Sequence, residues 1–239
     1  MREAVIVSTA RTPIGKAFRG AFNDTQAQEM AGHAIAEAVK RSKVSKEEID
    51  DVIIGAAGQQ GSQQGNIARQ SLLRAGLPVS VAGMSLDRQC ASGMMAIATA
   101  AKEITEDGMT ITVGGGVESV SLVRNENFRM DRARDPWLEE NIPSLYMTMI
   151  ETAENVAKRY GISRESQDEY SLQSQMRTAK AQQNGYMDKE IVPLKSTMKY
   201  KDKETGEISS HDVCIEKDEG NRPSTTLEGL SALKPVFKD

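Results

Sequence analysis

Among 239 residues there are two cysteines and two histidines, and they set the limits of the obvious chemistry. Cys90, Cys214, His33 and His211 are widely separated, with no CxxC or HxxxH spacing, so no structural metal site is expected. Cys90 stands in Met84-Ser85-Leu86-Asp87-Arg88-Gln89-Cys90-Ala91-Ser92-Gly93, where a predicted strand runs directly into a predicted helix. The free N–H groups and positive dipole end of a helix start favour an anion, so a thiol placed there tends toward a reactive thiolate. The small residues Ala91, Ser92 and Gly93 are expected to leave room for a substrate at the sulfur. A lone cysteine is by default a small buried hydrophobe; place and neighbours favour a nucleophile at Cys90. Cys214, between Val213 and Ile215, reads as an inert strand residue. His33, on the polar side of a helix, and His211, in a charged hairpin, read as surface side chains.

A second stretch with chemical potential is Thr112-Val113-Gly114-Gly115-Gly116-Val117-Glu118-Ser119. Three glycines after a strand could form a phosphate nest, or mark a tight turn or a close backbone contact. A P-loop is excluded because no Lys-Ser/Thr follows, and the dinucleotide Gly-x-Gly-x-x-Gly pattern is not completed before a helix.

The elements that would position these residues alternate. Residues 4–8, 52–55, 81–86 and 109–114 read as strands. Ala27, Met30, Ala31, Ala34, Ile35 and Ala38 recur with helical spacing and predict a helix over about residues 25–41. Strands separated by helices imply a largely parallel sheet with helices on both faces. Further along, residues 148–160 predict a helix stopped by Gly161. Ser163 starts another that ends at Gly185, residues 195–213 read as a hairpin turning at Glu204-Thr205-Gly206, and residues 226–233 form a short closing helix.

Composition breaks near Ser119. Residues 1–118 carry 14 of the 19 glycines and only 2 of the 10 aromatics, whereas 119–239 carry 39 of the 64 charged side chains. The expected domains are therefore 1–118, close-packed, and 119–239, more solvated. With 38% hydrophobic residues and a net charge of −4, the chain reads as a globular protein with a sizeable core. It lacks the basic surface a nucleic acid would need, and no apolar run approaches the ~20 residues of a membrane span. Free thiols with no export signal suggest a reducing, cytoplasmic setting.

Six motifs in order carry a family resemblance: Arg11-Thr12-Pro13-Ile14-Gly15-Lys16, Gln89-Cys90-Ala91-Ser92-Gly93, Gly115-Gly116-Val117-Glu118-Ser119, Thr152-Ala153-Glu154-Asn155-Val156-Ala157, Ile162-Ser163-Arg164-Glu165-Ser166-Gln167-Asp168 and Glu190-Ile191-Val192-Pro193. Together they closely resemble the thiolases, the acetyl-CoA acetyltransferases and 3-ketoacyl-CoA thiolases, along the whole chain. The resemblance implies a fold class of α/β, the N-terminal half of a thiolase with a mostly parallel mixed sheet, plus an α+β loop domain covering coenzyme A over 119–239. It implies that Cys90 carries the acyl group as a thioester, and that Met149, Arg222 and Ser231 lie along the CoA moiety, which is substrate and product with no permanently bound cofactor. The usual Met-Gly pair reads Met149-Ile150 here, with Thr148 where an aromatic or histidine is usual.

The resemblance also implies a C-terminal half that this sequence does not contain, with an activating His, an Asn-containing oxyanion site, a second Cys and a sheet-completing strand. The chain is therefore expected to be inactive alone, and to act as a homo-oligomer, dimer or tetramer, or with a complementary C-terminal half. Two other readings stay open: a ketosynthase-like condensing enzyme, and a non-catalytic CoA-binding or scaffolding subunit. The insertion over 119–239 favours the thiolase over the ketosynthase, and Cys90 with its small neighbours disfavours the scaffold.

Overall fold

A computed structural model describes residues 2–237. The chain divides into two units, one comprising the residues up to Phe128 together with Lys189–Gly220, the other Arg129–Asp188 with the residues from Asn221 onward. The compositional break at Ser119 does not coincide with this division. Residues 189–220 return to the first unit because Leu194, Val213 and Ile215 pack on Ala21 and Phe22.

In the first unit, α1 spans Ala27–Ser42 and buries Ala27, Ala31, Gly32, Ile35 and Val39, the stripe expected of an amphipathic helix. It stops at Lys43, which takes the left-handed conformation at φ 61°. Strand β1 is Asp51–Gly55, α2 is Ile67–Arg74, β2 is Ala82–Leu86, α3 is Ser92–Thr105, β3 is Thr112–Gly116 and α4 is a single turn over Val120–Val123. The sheet order is β2-β1-β3 and both pairings are parallel, with Ile53 opposite Met84 on one side and Gly114 on the other. Every residue of β1 is buried, as a central parallel strand requires. Its side chains alternate between layers. Val52 and Ile54 join a core with Ile35 and Val39 of α1 and Ile67 and Leu72 of α2; Ile53 faces Ala96 and Ala100 of α3. The expected α/β arrangement with helices on both faces is present, and this sheet is parallel throughout.

Two expectations differ from the structure. The three glycines do not follow a strand; they lie inside β3. A Cβ on Gly114 would sit 2.8 Å from Ile97 Cα, and one on Gly55 of β1 would sit 2.2 Å from the carbonyl carbon of Ser92. Helix α3 lies so close to the sheet that only glycine fits beneath it. Residues 4–8 join no strand, and Val5, Ile6 and Val7 are 72%, 79% and 68% exposed. A strand forms only with a hydrogen-bonding neighbour about 4.8 Å away. An apolar cavity of about 890 Å³ lies where such a neighbour would be.

The first ladder contact of the N-terminal segment is at Arg11, which bridges Ile191 and exchanges backbone hydrogen bonds with Glu190 and Val192. The Arg11 guanidinium donates to both oxygens of Asp218, at 2.7 and 3.0 Å, and to Glu190 at 2.7 Å. Asp218 also accepts from Ile14 N–H, while Glu219 accepts from the N–H groups of Lys16 and Ala21. Burial pushes the Asp218 carboxyl up, but its hydrogen bonds from Arg11 and Ile14 and the Arg11 charge hold it below the usual carboxylate range. Nearby, β4 (Leu194–Lys201) and β5 (Ile208–Ile215) form the predicted antiparallel hairpin. Its turn is held by Asp202, which accepts from Glu204 and Thr205 N–H, and by Gly206 at φ 72°.

The second unit is helical: α5 (Pro136–Asn141), α6 (Met149–Tyr160), α7 (Arg164–Gln183) and α8 (Leu227–Ser231). Local capping explains each start. Asp135, Thr148, Ser163 and Thr226 each accept a backbone N–H of the first turn, and Thr148 with Glu151 completes a capping box. Gly161 ends α6 in the left-handed conformation. Arg164 joins α8 to α7, pairing with Asp168 and donating to the carbonyls of Leu230 and Leu233. Among the described residues no helix is long and apolar enough to cross a membrane.

Two outcomes follow from this packing. Gly55→Ala should destabilise the first unit by about 1–3 kcal/mol, the usual cost of forcing a methyl into a filled contact, measured by denaturant unfolding. A carboxyl held low in the folded state contributes stability above its unfolded pKa and loses it as pH falls through the folded value. Asp218→Asn should therefore lower the melting temperature near neutral pH and flatten its fall on acidification; an unchanged acid slope would remove Asp218 from the account.

Candidate active site

The three parallel strands end together at Gly55, Leu86 and Gly116, and the residues that follow them meet at this end of the sheet. Backbone bonds from Ala56 N–H to Leu86 O (3.0 Å) and from Val117 N–H to Gly55 O (3.0 Å) continue the ladder past the strand ends. Carboxyl ends of parallel strands are where open α/β sheets bind ligands.

Cys90 lies in the tight turn between β2 and α3 and is exposed, with its thiol free. The turn is strained and braced. Gln89, directly before the cysteine, has φ 49°, a left-handed conformation that non-glycine residues rarely adopt. Asp87 accepts from Gln89 N–H at 2.7 Å, and the buried Ser92 hydroxyl accepts from Arg88 N–H at 2.9 Å while donating to Gln89 O at 2.6 Å. Ser92 thus holds the turn from inside. Gly93 lies against Gly116, whose added Cβ would come within 3.0 Å of Gly93 Cα. Ser92 and Gly93 serve to seat the helix on the sheet, and Ala91 is the exposed small neighbour of the sulfur.

A second brace joins the strand ends. Gln63 is fully buried; its Nε2 donates to Gly58 O and to Glu118 Oε1, both at 2.8 Å, and its Oε1 accepts from Ser119 N–H. Glu118 Oε2 accepts from Ala57 N–H at 2.9 Å. The loop after β1 and the loop after β3 are thereby fixed to each other. Sequence reasoning marked Glu118 only within a motif and passed over Gln63. Gln63 and Glu118 meet across 55 positions of sequence, and a glutamine in a polar loop gives no sign of burial.

The remaining candidates belong to other parts of the chain. Met149 opens α6 and is 79% exposed; Arg222 is exposed, its backbone N–H bonded to Gln175 Oε1 at 2.8 Å; Ser231 ends α8 and donates its hydroxyl to Leu227 O at 2.7 Å. All three belong to the second unit and Cys90 to the first. Arg222 has no carboxylate partner among the described residues, which leaves its charge available. Half-buried His33 contacts Pro193 O through Nε2 at 3.0 Å, and exposed His211 contacts Ser209 Oγ through Nε2 at 2.8 Å. Cys214 is also exposed, on β5 opposite Lys195. No group of three or more potential metal ligands occurs among the described residues.

The family model described as "Thiolase, N-terminal domain" matches residues 4–239. The chain is similar to the 3-ketoacyl-CoA thiolase of Bacillus subtilis (strain 168), 39% identical over 239 residues covering 99% of this chain and 60% of that protein. It is similar to the beta-ketoadipyl-CoA thiolase of Pseudomonas putida, 38% identical over 99% of this chain and 60% of that one. Among solved structures, the Bacillus anthracis acetyl-CoA acetyltransferase superposes with a TM-score of 0.80 at 36% identity, over 100% of this chain and 60% of that chain. The chain thus spans about three-fifths of the length of these relatives. With a match from residue 4 to residue 239 and relatives near 38% identity, the chain belongs to the thiolase family, in the part described as its N-terminal domain.

Proposed function

We propose that this chain is the nucleophile-bearing part of a thiolase-type acyltransferase acting on acyl-CoA. The observation that carries the reading is Cys90, exposed on a braced, strained turn at the head of α3 at the carboxyl end of a parallel sheet. The Cys90 thiolate attacks the carbonyl carbon of an acyl-CoA thioester, the bond from that carbon to the CoA sulfur breaks, and CoA leaves as a thiolate that takes up a proton. The acyl group remains on Sγ as a thioester of nearly the same energy, so transfer runs in either direction. The acceptor is CoA itself in thiolysis or the α-carbanion of a second acyl-CoA in condensation. N–H groups at the start of α3, that of Cys90 among them, suit the oxyanion formed on attack.

Acid–base work needs groups that the described residues do not place beside Cys90. Its two histidines are engaged at Pro193 and Ser209. The proposal therefore gives that role to a further polypeptide segment corresponding to the relatives' remaining two-fifths, and the chain alone to a resting, inactive state. CoA contact is assigned to the second unit through Met149, Arg222 and Ser231. The free charge of Arg222 supports this, since a guanidinium gives phosphate charge-assisted hydrogen bonds.

Two measurements test the reading. Both thiols are exposed, so accessibility alone predicts similar alkylation. Iodoacetamide at neutral pH should label Cys90 several-fold faster than Cys214, read by peptide mass spectrometry with Cys90→Ser as control; equal rates in folded protein would remove the activated nucleophile. Arg222→Ala should weaken CoA binding, and the loss should be greater at low salt than at high salt, where screening already weakens the wild-type contact. Unchanged affinity at low salt would place the phosphate elsewhere.

A further inference from the structure

The face of β1 that meets α3 ends in a pair of acids. Alternation along β1 turns Asp51, Ile53 and Gly55 toward one layer, and the buried residues of α3, Ser92, Ala96, Ala100 and Glu103, form one stripe at helical spacing. The two rows match along their length. Gly55 lies under Ser92, and Ile53 packs on Ala96 and Ala100. Thr112, the β3 neighbour of Asp51, donates its hydroxyl to Ala100 O at 3.0 Å. The next step along both rows brings Asp51 to Glu103, at the end of the helix opposite Cys90.

Asp51 is 9% and Glu103 7% exposed. Glu103 Oε2 is sealed from solvent and accepts no hydrogen bond, while Asp51 Oδ1 accepts from Val52 N–H at 2.6 Å. The groups around them supply no counter-charge. Asp50, just before β1, accepts from Thr110 and Ile111 N–H at 2.7 and 3.2 Å, and Asp107, just after α3, is exposed. Lys102 and Glu106 of α3 are exposed, β2 and β3 present Ala82 and Thr112 at this level, and Arg2 donates to Gly108 O at 2.8 Å. Burial pushes both carboxyls up. At Asp51 the Val52 N–H offsets part of the rise and the charge of Asp50 adds to it; at Glu103 the charges of Asp51 and Asp107 add to it. Two carboxylates buried together without a cation are relieved by a proton, which also gives the neutral acid a donor that the ionised one lacks.

We propose that Asp51 and Glu103 form a proton-binding pair that takes up one proton on folding, and that this proton seats the carboxyl end of the Cys90 helix on β1. A carboxyl raised in the folded state contributes stability that is fully present below its unfolded pKa and is lost as pH rises through the folded value. The seating therefore tightens on mild acidification and loosens as pH rises, opposite in sign to the contribution of Asp218. A proton suits the pair better than a metal ion, because no group of three or more potential metal ligands occurs among the described residues.

The test is urea unfolding of the chain, of Glu103→Gln, of Asp51→Asn and of the double variant between about pH 4.5 and 8. Glutamine and asparagine have the shapes of the neutral acids, so the variants should fold. Relative to the unsubstituted chain, the folding equilibrium constant of Glu103→Gln should grow with pH, by about tenfold for each unit by which the carboxyl is raised. Each single variant removes the same repulsion, so the double variant should gain less than the product of the two single gains. Amide hydrogen exchange of the unsubstituted chain gives a reading that needs no variant. Met109 N–H donates to Glu103 O at 3.0 Å, and Ala56 N–H is bonded to Leu86 O at the opposite end of the sheet. As pH rises, the protection factor of Met109 should fall several-fold relative to that of Ala56. A Glu103→Gln effect constant across pH, single gains that multiply independently, or Met109 and Ala56 protection that move together would overturn the pair. So would stabilisation of the unsubstituted chain by millimolar magnesium or calcium that Glu103→Gln abolishes, since a cation would then hold the two carboxylates.

Discussion

The distance between α3 and the sheet governs the rest of the first unit. A helix can lie this close to parallel strands only where no Cβ intervenes, and the contact is made by Gly55, Gly114 and the facing pair Gly93 and Gly116. Seating α3 there fixes where the helix begins. The chain leaving β2 at Leu86 must then reverse within a few residues, so Gln89 is forced to positive φ and Cys90 is presented outward. Backbone strain of this kind costs about 1–3 kcal/mol and persists only where surrounding bonds over-determine it. Here the bonds from Ser92 to Arg88 and Gln89, and from Asp87 to Gln89, do so.

Polar anchors extend that rigidity to the neighbouring loops. Gln63 is buried without penalty because both ends of its amide are used, joining Gly58 and Glu118 to Ser119. Arg11 does similar work at longer range, binding Glu190 and Asp218 in a partly buried cluster. Asp218 and Glu219 also take the N–H groups of Ile14, Lys16 and Ala21, so an otherwise irregular stretch keeps a defined path. A planar guanidinium suits this bidentate role in a way that lysine could not.

The same sheet that is closed on its β1 interior is open beyond β3. Residues 4–8 have the composition of a buried strand, yet Val5, Ile6 and Val7 are exposed and the segment joins no strand of the sheet.

Short-range physics made much of this legible. Helical spacing located α1, the cap residue Ser163 and the stop at Gly161 located α6 and α7, and a thiol after a strand and before a helix singled out Cys90. Each depends on neighbours a few residues apart, so the sequence by itself determined them. What depended on partners far along the chain was decided only by tertiary structure. Residues 4–8 carry strand composition, but a strand exists only with a hydrogen-bonding neighbour. The glycines of β3 read equally as nest, turn or close contact until α3 was seen packed on them. The hairpin β4–β5, charged like the chain around it, joins the first unit through Leu194, Val213 and Ile215, because burial follows the few apolar side chains that find a surface and not the average composition of a segment.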